Sequence, residues 1–316
     1  MRELIVGQND AGQRLDRFLG KAVPLLPSSL LQKAIRTKKI KLNGSRADRA
    51  ARLNEGDVVS IYLGDDFFKP VSDGESWRHI TKPELTIVYE DDNILLLDKK
   101  PGVVVHSDGE GTRNTLIANI LAYLHLNGGW EPEAENAFTP ALCNRIDRNT
   151  GGIVIAAKNA EALRIMNEKI RSREVRKFYL CLVHGKMEPP DGVLRSFIWK
   201  DAKLNRVYVT SKPQPGARTA VTRYRTLSAG GGLSLLECEL ETGRTHQIRA
   251  QMAHSGHPLV GDGKYGAPGA KGEFGRRYQA LYSYKILFDW QTGAGMLDYL
   301  KGREFKADNA DFSLPL

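Results

Sequence analysis

Residues 144–157 have the sequence NRIDRNTGGIVIAA, in which one acid lies between two arginines ahead of a turn and a β-branched run. Asn149, Gly151 and Gly152 predict the turn, and the apolar residues after them predict a short strand. The flanking guanidinium groups should keep Asp147 ionised at neutral pH. An ionised, positioned carboxylate can act as a nucleophile or a base, whereas an isolated Arg-x-Asp is usually a surface ion pair.

Length and charge narrow the class of protein. The chain has 316 residues, a formal net charge of +9 and a pI of about 9.4. Two domains are expected, because one hydrophobic core rarely serves so long a chain. The positive charge favours a polyanionic partner, nucleic acid before membrane. The sequence contains neither a long apolar run nor an apolar signal core at its N-terminus, so we expect a cytoplasmic protein without a membrane span.

Cysteine and histidine spacing argues against a metal or disulfide framework. The three cysteines are widely spaced and form no Cys-x-x-Cys pair, which is typical of a reducing compartment. His246, His254 and His257 are close in sequence, but their spacing matches no usual zinc-ligand pattern. We therefore expect no metal site.

The first 63 residues predict a small basic domain. Leu15, Phe18 and Leu19 have helical spacing, and a second helix is expected after the possible caps Ser28 and Ser29. A hairpin turn at residues 43–44 then joins two predicted strands at residues 40–42 and 57–63. Residues 33–52 contain eight Lys and Arg but one acid, a charge pattern typical of an RNA-binding surface and also possible for a solvated basic face.

Within this segment, the pattern GQRLDRFL…SSLLQKAIRTKKIKLNG…LNEGDVVSIYL resembles an S4 domain, a module of several rRNA- and tRNA-binding proteins. The resemblance implies binding of structured RNA through shape and phosphate contacts. The residues that it places on the binding edge are Arg36, Lys38, Lys39 and Lys41. Residues 64–84 follow without periodicity and are predicted to be a linker.

From residue 85 onward the pattern alternates between strands and helices. Strands are expected at residues 85–90, 94–98, 153–157, 175–185, 206–210, 218–227, 233–241 and 281–288, the last at a sheet edge. Helices are expected at residues 114–126, after the cap residue Asn159, and from Arg244, after a turn at Gly243, to about His254 with Gly256 at the C-terminal end. The strand at 175–185 places Lys177 and Tyr179 on one face. A tyrosine there can stack on a base or move a proton, although a lone strand tyrosine is usually a packing residue.

Five ordered motifs carry a second resemblance. They are KPG…H at 100–106, RIDRNTGG at 145–152, KFY at 177–179, TGRTHQIR at 242–249 and GHPLVGD…YG at 256–266. Together they resemble the RluA family of pseudouridine synthases, with the S4 domain typical of its large-subunit rRNA branch. The sequence departs from the family pattern at Asn144 and Tyr282, where the family commonly has His, and at Gly151, where it commonly has Ser.

The resemblance implies isomerisation of uridine in RNA without a metal or redox cofactor. The N-glycosidic bond breaks, the base turns within the site, and a carbon–carbon bond forms to the same ribose. Asp147 would attack the sugar or the uracil ring, or otherwise drive cleavage of the glycosidic bond. Tyr179 would stack on the uracil and take part in removing the C5 proton, and Arg244 would pair with the acid and keep it ionised.

The same resemblance assigns substrate contacts and a partner. Arg145 would fill the stack that the flipped base vacates. The other substrate-binding positions are Lys177, Thr242, Gly243, Ile248 and Arg249. The implied partner is 23S ribosomal RNA or a pre-ribosomal particle, bound by a monomer. A tRNA pseudouridine synthase, a non-catalytic RNA-binding ribosome-assembly factor and another base-flipping enzyme such as a glycosylase remain alternatives.

The expected fold class is therefore α+β. Residues 1–63 would form the S4-like domain, 64–84 the linker, and 85–316 a catalytic domain. The catalytic domain would contain a mixed, largely antiparallel sheet flanked by helices and loops, with the active cleft across it.

Overall fold

The computed structural model describes residues 1–68, 76–106, 114–201, 203–267, 269–308 and 312. Its α-helices are α1 Leu15–Ala22, α2 Ser28–Arg36, α3 Leu116–Leu126, α4 Ala160–Arg171 and α5 Gln247–His254. Its strands are β1 Arg2–Ile5, β2 Ile40–Leu42, β3 Ser45–Arg46, β4 Val58–Ile61, β5 Ile87–Glu90, β6 Ile94–Lys99, β7 Ala141–Leu142, β8 Gly151–Ala157, β9 Val175–His184, β10 Asp191–Asp201, β11 Arg206–Thr210, β12 Arg218–Gly230, β13 Leu233–Leu240, β14 Leu281–Phe288 and β15 Glu304–Lys306. No helix in these ranges is long and apolar enough to cross a lipid bilayer.

The N-terminal segment contains two helices and a four-stranded sheet of order β1-β4-β2-β3. The apolar faces of α1 and α2 are buried, as their helical spacing predicted. Asn43 and Gly44 both have positive φ, at 50° and 74°, the backbone conformation that a two-residue hairpin turn of type I′ requires. Strand β1 was not predicted, because its four residues are mostly exposed and pair only with the distant β4.

Polar contacts join this segment to the rest of the chain. The Asn9 amide donates to Glu135, 2.6 Å away, and its oxygen accepts from the backbone N–H of Ala160 at the start of α4. The Asn136 amide donates to the Ile5 carbonyl and to Asp10. These side-chain hydrogen bonds connect two separately packed hydrophobic cores.

The large sheet has the strand order β11-β10-β12-β13-β9-β14-β8-β6-β5, with β15 on β14 and β7 on β8. Among the described strands, β8 and β14 form the parallel pair, and the other pairs are antiparallel. The predicted α+β class with a mixed, largely antiparallel sheet is confirmed. Strand β10 was not predicted.

The predicted edge position of β14 is wrong, because this strand lies between β9 and β8. In the structure Ser283 is fully buried, and Lys285 forms ion pairs with Glu237 and Glu304. Ion pairing within the sheet therefore accommodates a lysine in a central strand.

Two hydrophobic cores cover the two faces of this sheet. One face packs against α3 and α5, and the opposite face packs against α4 and the segment 295–300. Trp77 belongs to the first core and contacts Trp130 edge-on, with ring centroids 5.2 Å apart. Part of the predicted linker is therefore anchored to the core of the large sheet. Residues 69–75 of the predicted linker lie outside the described residues.

Two of the departures from the family pattern are in direct contact. A Cβ atom on Gly151 would overlap the ring of Tyr282 on the neighbouring β14. The Tyr282 hydroxyl donates a 2.6 Å hydrogen bond to buried Asp98. Gly151 thus leaves the space that the large Tyr282 side chain occupies, and the two departures form one compensated change.

We therefore predict strong coupling between positions 151 and 282. Gly151→Ser should lower the free energy of unfolding by ~1–3 kcal/mol, because its side chain overpacks a filled site. In a Tyr282→His background the same change should cost less. Thermal unfolding of both single variants and the double variant measures the coupling.

Gly293→Ala is the matched control, since a Cβ at Gly293 meets no atom within 4 Å. If the loss of unfolding free energy in the double variant equals the sum of the losses in the two single variants, positions 151 and 282 do not compensate each other.

Candidate active site

The two motif-rich stretches meet in one cleft of about 700 Å³ on the face of the sheet that α5 covers. Asp147 lies in the loop between β7 and β8, and its side chain is 24% exposed. Tyr179 and Lys177 reach the same cleft from β9, as their shared strand face predicted. The cleft also has an apolar lining, formed by Val104, Val105, Ile146, Leu240, Ile248 and Leu281.

Arg249 holds the Asp147 carboxylate. Its Nη1 donates to Asp147 Oδ2 across 3.0 Å, and its Nε and Nη2 donate to the two oxygens of Asp262 at 2.7 and 2.9 Å. Arg249 is 7% exposed and Asp262 is fully buried. Burial would raise the pKa of Asp262, but hydrogen bonds from Arg249 and its charge hold that pKa below its ordinary value.

The partner of Asp147 is therefore Arg249 and not Arg244, which corrects the assignment from the family resemblance. Helix α5 begins at Gln247 rather than at the predicted Arg244, and His246 before it has a φ of 51°. Arg244 lies in the turn before this helix, and its Nε donates to the Thr219 carbonyl at 3.0 Å. Arg244 still lines the cleft.

Thr242 supports the turn from within the protein. Its buried hydroxyl accepts from the Val221 N–H and donates to Gln247 Oε1, at 2.9 and 2.8 Å. The same Gln247 oxygen accepts the Arg244 N–H. These bonds fix the backbone of Gly243, which is exposed at the cleft. A substrate contact by Thr242 stays a prediction from the resemblance.

His246 is a site residue that sequence reasoning considered only as a zinc ligand. Its Nε2 lies 3.8 Å from Asp147 Oδ2, and its Nδ1 is 2.8 Å from the Tyr265 hydroxyl. Burial lowers the pKa of His246 to about 4, so the imidazole is neutral at neutral pH. His246 and Tyr265 lie within two of the five motifs quoted above. Those motifs were the sequence feature from which a role for these residues could have been predicted.

Tyr179 is buried beside the carboxylate, with 6% of its surface exposed. Burial raises the pKa of its phenol to about 12, and the charge of Asp147 adds to this effect. Tyr179 is therefore a neutral phenol at neutral pH. Half-buried Lys177 has its pKa lowered by the same loss of water.

The two arginines that flank Asp147 have different surroundings. Arg145 is exposed and lines the cleft, so its planar guanidinium is available to a ligand. The Nε of Arg148 donates to the Gly102 carbonyl at 3.2 Å, and the Gly102 N–H donates to the Arg148 carbonyl at 2.9 Å. The acid thus lies on a loop whose C-terminal side is fastened to the Lys-Pro-Gly turn.

Comparison with known proteins identifies the class. Residues 93–254 match the family described as RNA pseudouridylate synthase. The chain is 30% identical to ribosomal large subunit pseudouridine synthase C of Vibrio parahaemolyticus, over 83% of this chain and 79% of the relative. It is 32% identical to ribosomal large subunit pseudouridine synthase D of Nitrosomonas europaea, over 84% of this chain and 72% of the relative. The solved structure of human RNA pseudouridylate synthase domain containing 4 shares the fold, with a TM-score of 0.54 and 21% identity over 70% of this chain and 87% of that one.

The fold and these matches define an RNA-modifying isomerase. The chain belongs to the RNA pseudouridylate synthase family, whose members convert uridine in RNA to pseudouridine. The resemblance drawn from the five catalytic-domain motifs is confirmed.

The two arginines of the second motif should respond differently to substitution. Arg249→Met leaves the buried Asp262 without its ion-pair partner, so we expect the free energy of unfolding to fall by ~3–5 kcal/mol. It should also lower kcat at saturating RNA, because Asp147 loses its orientation. Arg244→Met leaves the Asp147 ion pair intact and should chiefly raise KM.

Steady-state kinetics of both variants, with thermal unfolding alongside, makes the comparison. Equal losses of kcat in the two variants would contradict the assignment of Arg249 as the partner of Asp147.

Proposed function

We propose that this enzyme isomerises specific uridines of large-subunit ribosomal RNA. The observation that carries the chemistry is the Asp147 carboxylate, held by Arg249 beside the buried Tyr179 in a cleft with a basic rim. The choice of substrate is supported by the relatives named as ribosomal large subunit pseudouridine synthases C and D. A tRNA substrate is the alternative.

Access to a uridine in folded RNA requires extrusion of the base. Arg145 is suited to fill the vacated stack, since a planar guanidinium can stack on bases where an ammonium cannot. The cleft of about 700 Å³ can accommodate a nucleoside. Its apolar lining and the Tyr179 ring provide surfaces for the uracil faces.

The isomerisation conserves all atoms of the nucleotide. The bond between N1 and C1′ breaks, a bond between C5 and C1′ forms, and the proton on C5 is replaced by one on N1. Asp147 provides the negative charge that drives cleavage, by attack on the sugar or the ring. Neutral Tyr179 can hydrogen-bond the turned base and assist transfer of the C5 proton.

We also propose that residues 1–63 form the RNA-binding module and that the enzyme acts in the cytoplasm. Arg36, Lys38 and Lys39 are exposed at and after the end of α2. Lys41 on β2 lies over the Tyr62 ring, 5.4 Å from its centroid. A basic helix end beside a strand can follow the phosphates of structured RNA without reading its sequence.

The role of Asp147 can be tested by removing its charge at constant shape. Asp147→Asn should abolish turnover while the fold and RNA binding persist, because only the reacting carboxylate is removed. Release of tritium from RNA labelled at uracil C5 measures turnover. Asp92→Asn, in the exposed turn before β6, is the matched control. Activity of Asp147→Asn within about tenfold of wild type, a barrier change of only ~1.4 kcal/mol, would remove Asp147 from the chemistry.

The substrate is identified by mapping pseudouridine in cellular RNA with and without an active copy of this protein. Sites that disappear from 23S ribosomal RNA, and are restored by wild-type protein but not by Asp147→Asn, support the proposal. Sites that disappear only from tRNA would establish the alternative.

The N-terminal module should dominate the salt dependence of RNA binding. Lys38→Ala with Lys39→Ala should make the slope of log affinity against log salt shallower by up to ~1 for each phosphate that the variant no longer neutralises. The control removes two exposed charges elsewhere, Lys186→Ala with Lys301→Ala. Equal slopes for the two double variants would mean that Lys38 and Lys39 do not contact RNA in this complex.

A further inference from the structure

Lys99 is a buried lysine whose three hydrogen-bond acceptors are all backbone carbonyls. The residue is 2% exposed at the end of β6. Its Nζ donates to the carbonyl oxygens of Lys100, Val103 and Arg148, at 3.0, 3.1 and 2.9 Å. Lys100 begins the Lys-Pro-Gly turn, Val103 directly follows that turn, and Arg148 directly follows Asp147. One ammonium group therefore joins two loops.

This arrangement requires the charged form of Lys99. An ammonium group has three N–H donors, one for each carbonyl, whereas a neutral amine has two donors and a lone pair. Deprotonation would leave one carbonyl facing that lone pair, and a carbonyl buried without a donor is costly.

The contact with Arg148 ties Lys99 to the reacting carboxylate. The Arg148 carbonyl also accepts from the Gly102 N–H, and the Asp147 carbonyl accepts from the Thr150 N–H at 3.0 Å. Lys99 and Gly102 therefore hold the Asp147 backbone on one side, and Arg249 holds its carboxylate on the other. Neither anchor alone fixes both the backbone and the side chain.

We infer that the Lys99 ammonium is a positioning residue for the isomerisation, which holds the loop of Asp147 in its reactive geometry by bridging that loop to the Lys-Pro-Gly turn. The inference rests on the proposed catalytic role of Asp147. Lys99 is not assigned a substrate contact; it acts through the backbone carbonyl of Arg148, directly after the acid.

A consequence is that activity should fall as Lys99 loses its proton. Burial lowers the pKa of Lys99 to about 8, an effect that the charges of Asp147 in the loop and Asp98 on β6 only partly offset. The unfolded chain keeps this proton to higher pH. Lys99 deprotonation should thus increase the free energy of unfolding between about pH 8 and pH 10.5 while kcat falls. Because stability rises while kcat falls over this pH range, the loss of activity cannot be attributed to unfolding.

The experiment compares Lys99→Met with Lys169→Met in the full chain. Lys169 is also 2% exposed, but it bonds Glu174 and Thr292 on the opposite face of the sheet. Lys99→Met should lower kcat by about ten- to a hundredfold with little change in KM, since a small displacement of a reacting group has effects of this size. Lys169→Met should lower the Tm and leave kcat of the folded protein unchanged.

The pH profile tests the charge. Wild-type kcat at saturating RNA should fall with a midpoint near pH 8, and this limb should be absent in Lys99→Met. Lys99→Arg keeps a charge that does not titrate, so its limb should also be absent even if Lys99→Met fails to fold. A limb with the wild-type midpoint in Lys99→Arg, or wild-type kcat in Lys99→Met, would overturn the inference.

Asp147→Asn is assayed in parallel to separate the two proposals. One outcome is that the wild type is active, Asp147→Asn is inactive, and Lys99→Met has the wild-type kcat. In that case the positioning role of Lys99 is refuted and the role of Asp147 is retained. If Asp147→Asn is itself active, the proposed role of Asp147 fails first.

Discussion

The structure depends most on one arginine shared between two carboxylates. Arg249 is buried and donates to Asp262 on one side and Asp147 on the other, so a guanidinium that would be costly to bury alone is fully paired. Because Asp262 is also fixed by two backbone N–H groups of its own loop, it provides a rigid base for the arginine. The partly exposed Asp147 is then the one group of the three that can reach a ligand.

Buried and half-buried polar side chains surround the Asp147–Arg249–Asp262 group. Tyr179 and His246 both lie close to Asp147, and burial keeps both neutral near pH 7. These neutral neighbours can donate or accept hydrogen bonds beside the Asp147 carboxylate without competing for its partner Arg249. The exposed Arg145 adds the positive charge that faces an RNA backbone or a base stack.

The loop of Asp147 is shaped by the strands around it. The parallel pairing of β8 with β14 brings Gly151 against Tyr282, and the close approach at Gly152 leaves no space for a Cβ atom. The Lys-Pro-Gly turn then fastens to the residue after the acid through Gly102 and Lys99. The sheet core, rather than the loop sequence, thus sets where the carboxylate lies.

Sequence alone determined the family, the shared face of Lys177 and Tyr179, the hairpin at Asn43 and the α+β class, because these depend on local spacing, turn chemistry and ordered motifs. It did not determine which arginine meets the acid, since Arg244 and Arg249 differ only in where helix α5 begins and how the turn before it bends. It misplaced β14 as an edge strand, because parallel pairing between distant segments leaves no local pattern. The compensation between Gly151 and Tyr282 and the carbonyl contacts of Lys99 likewise arise between residues far apart in the chain, so only tertiary packing decided them.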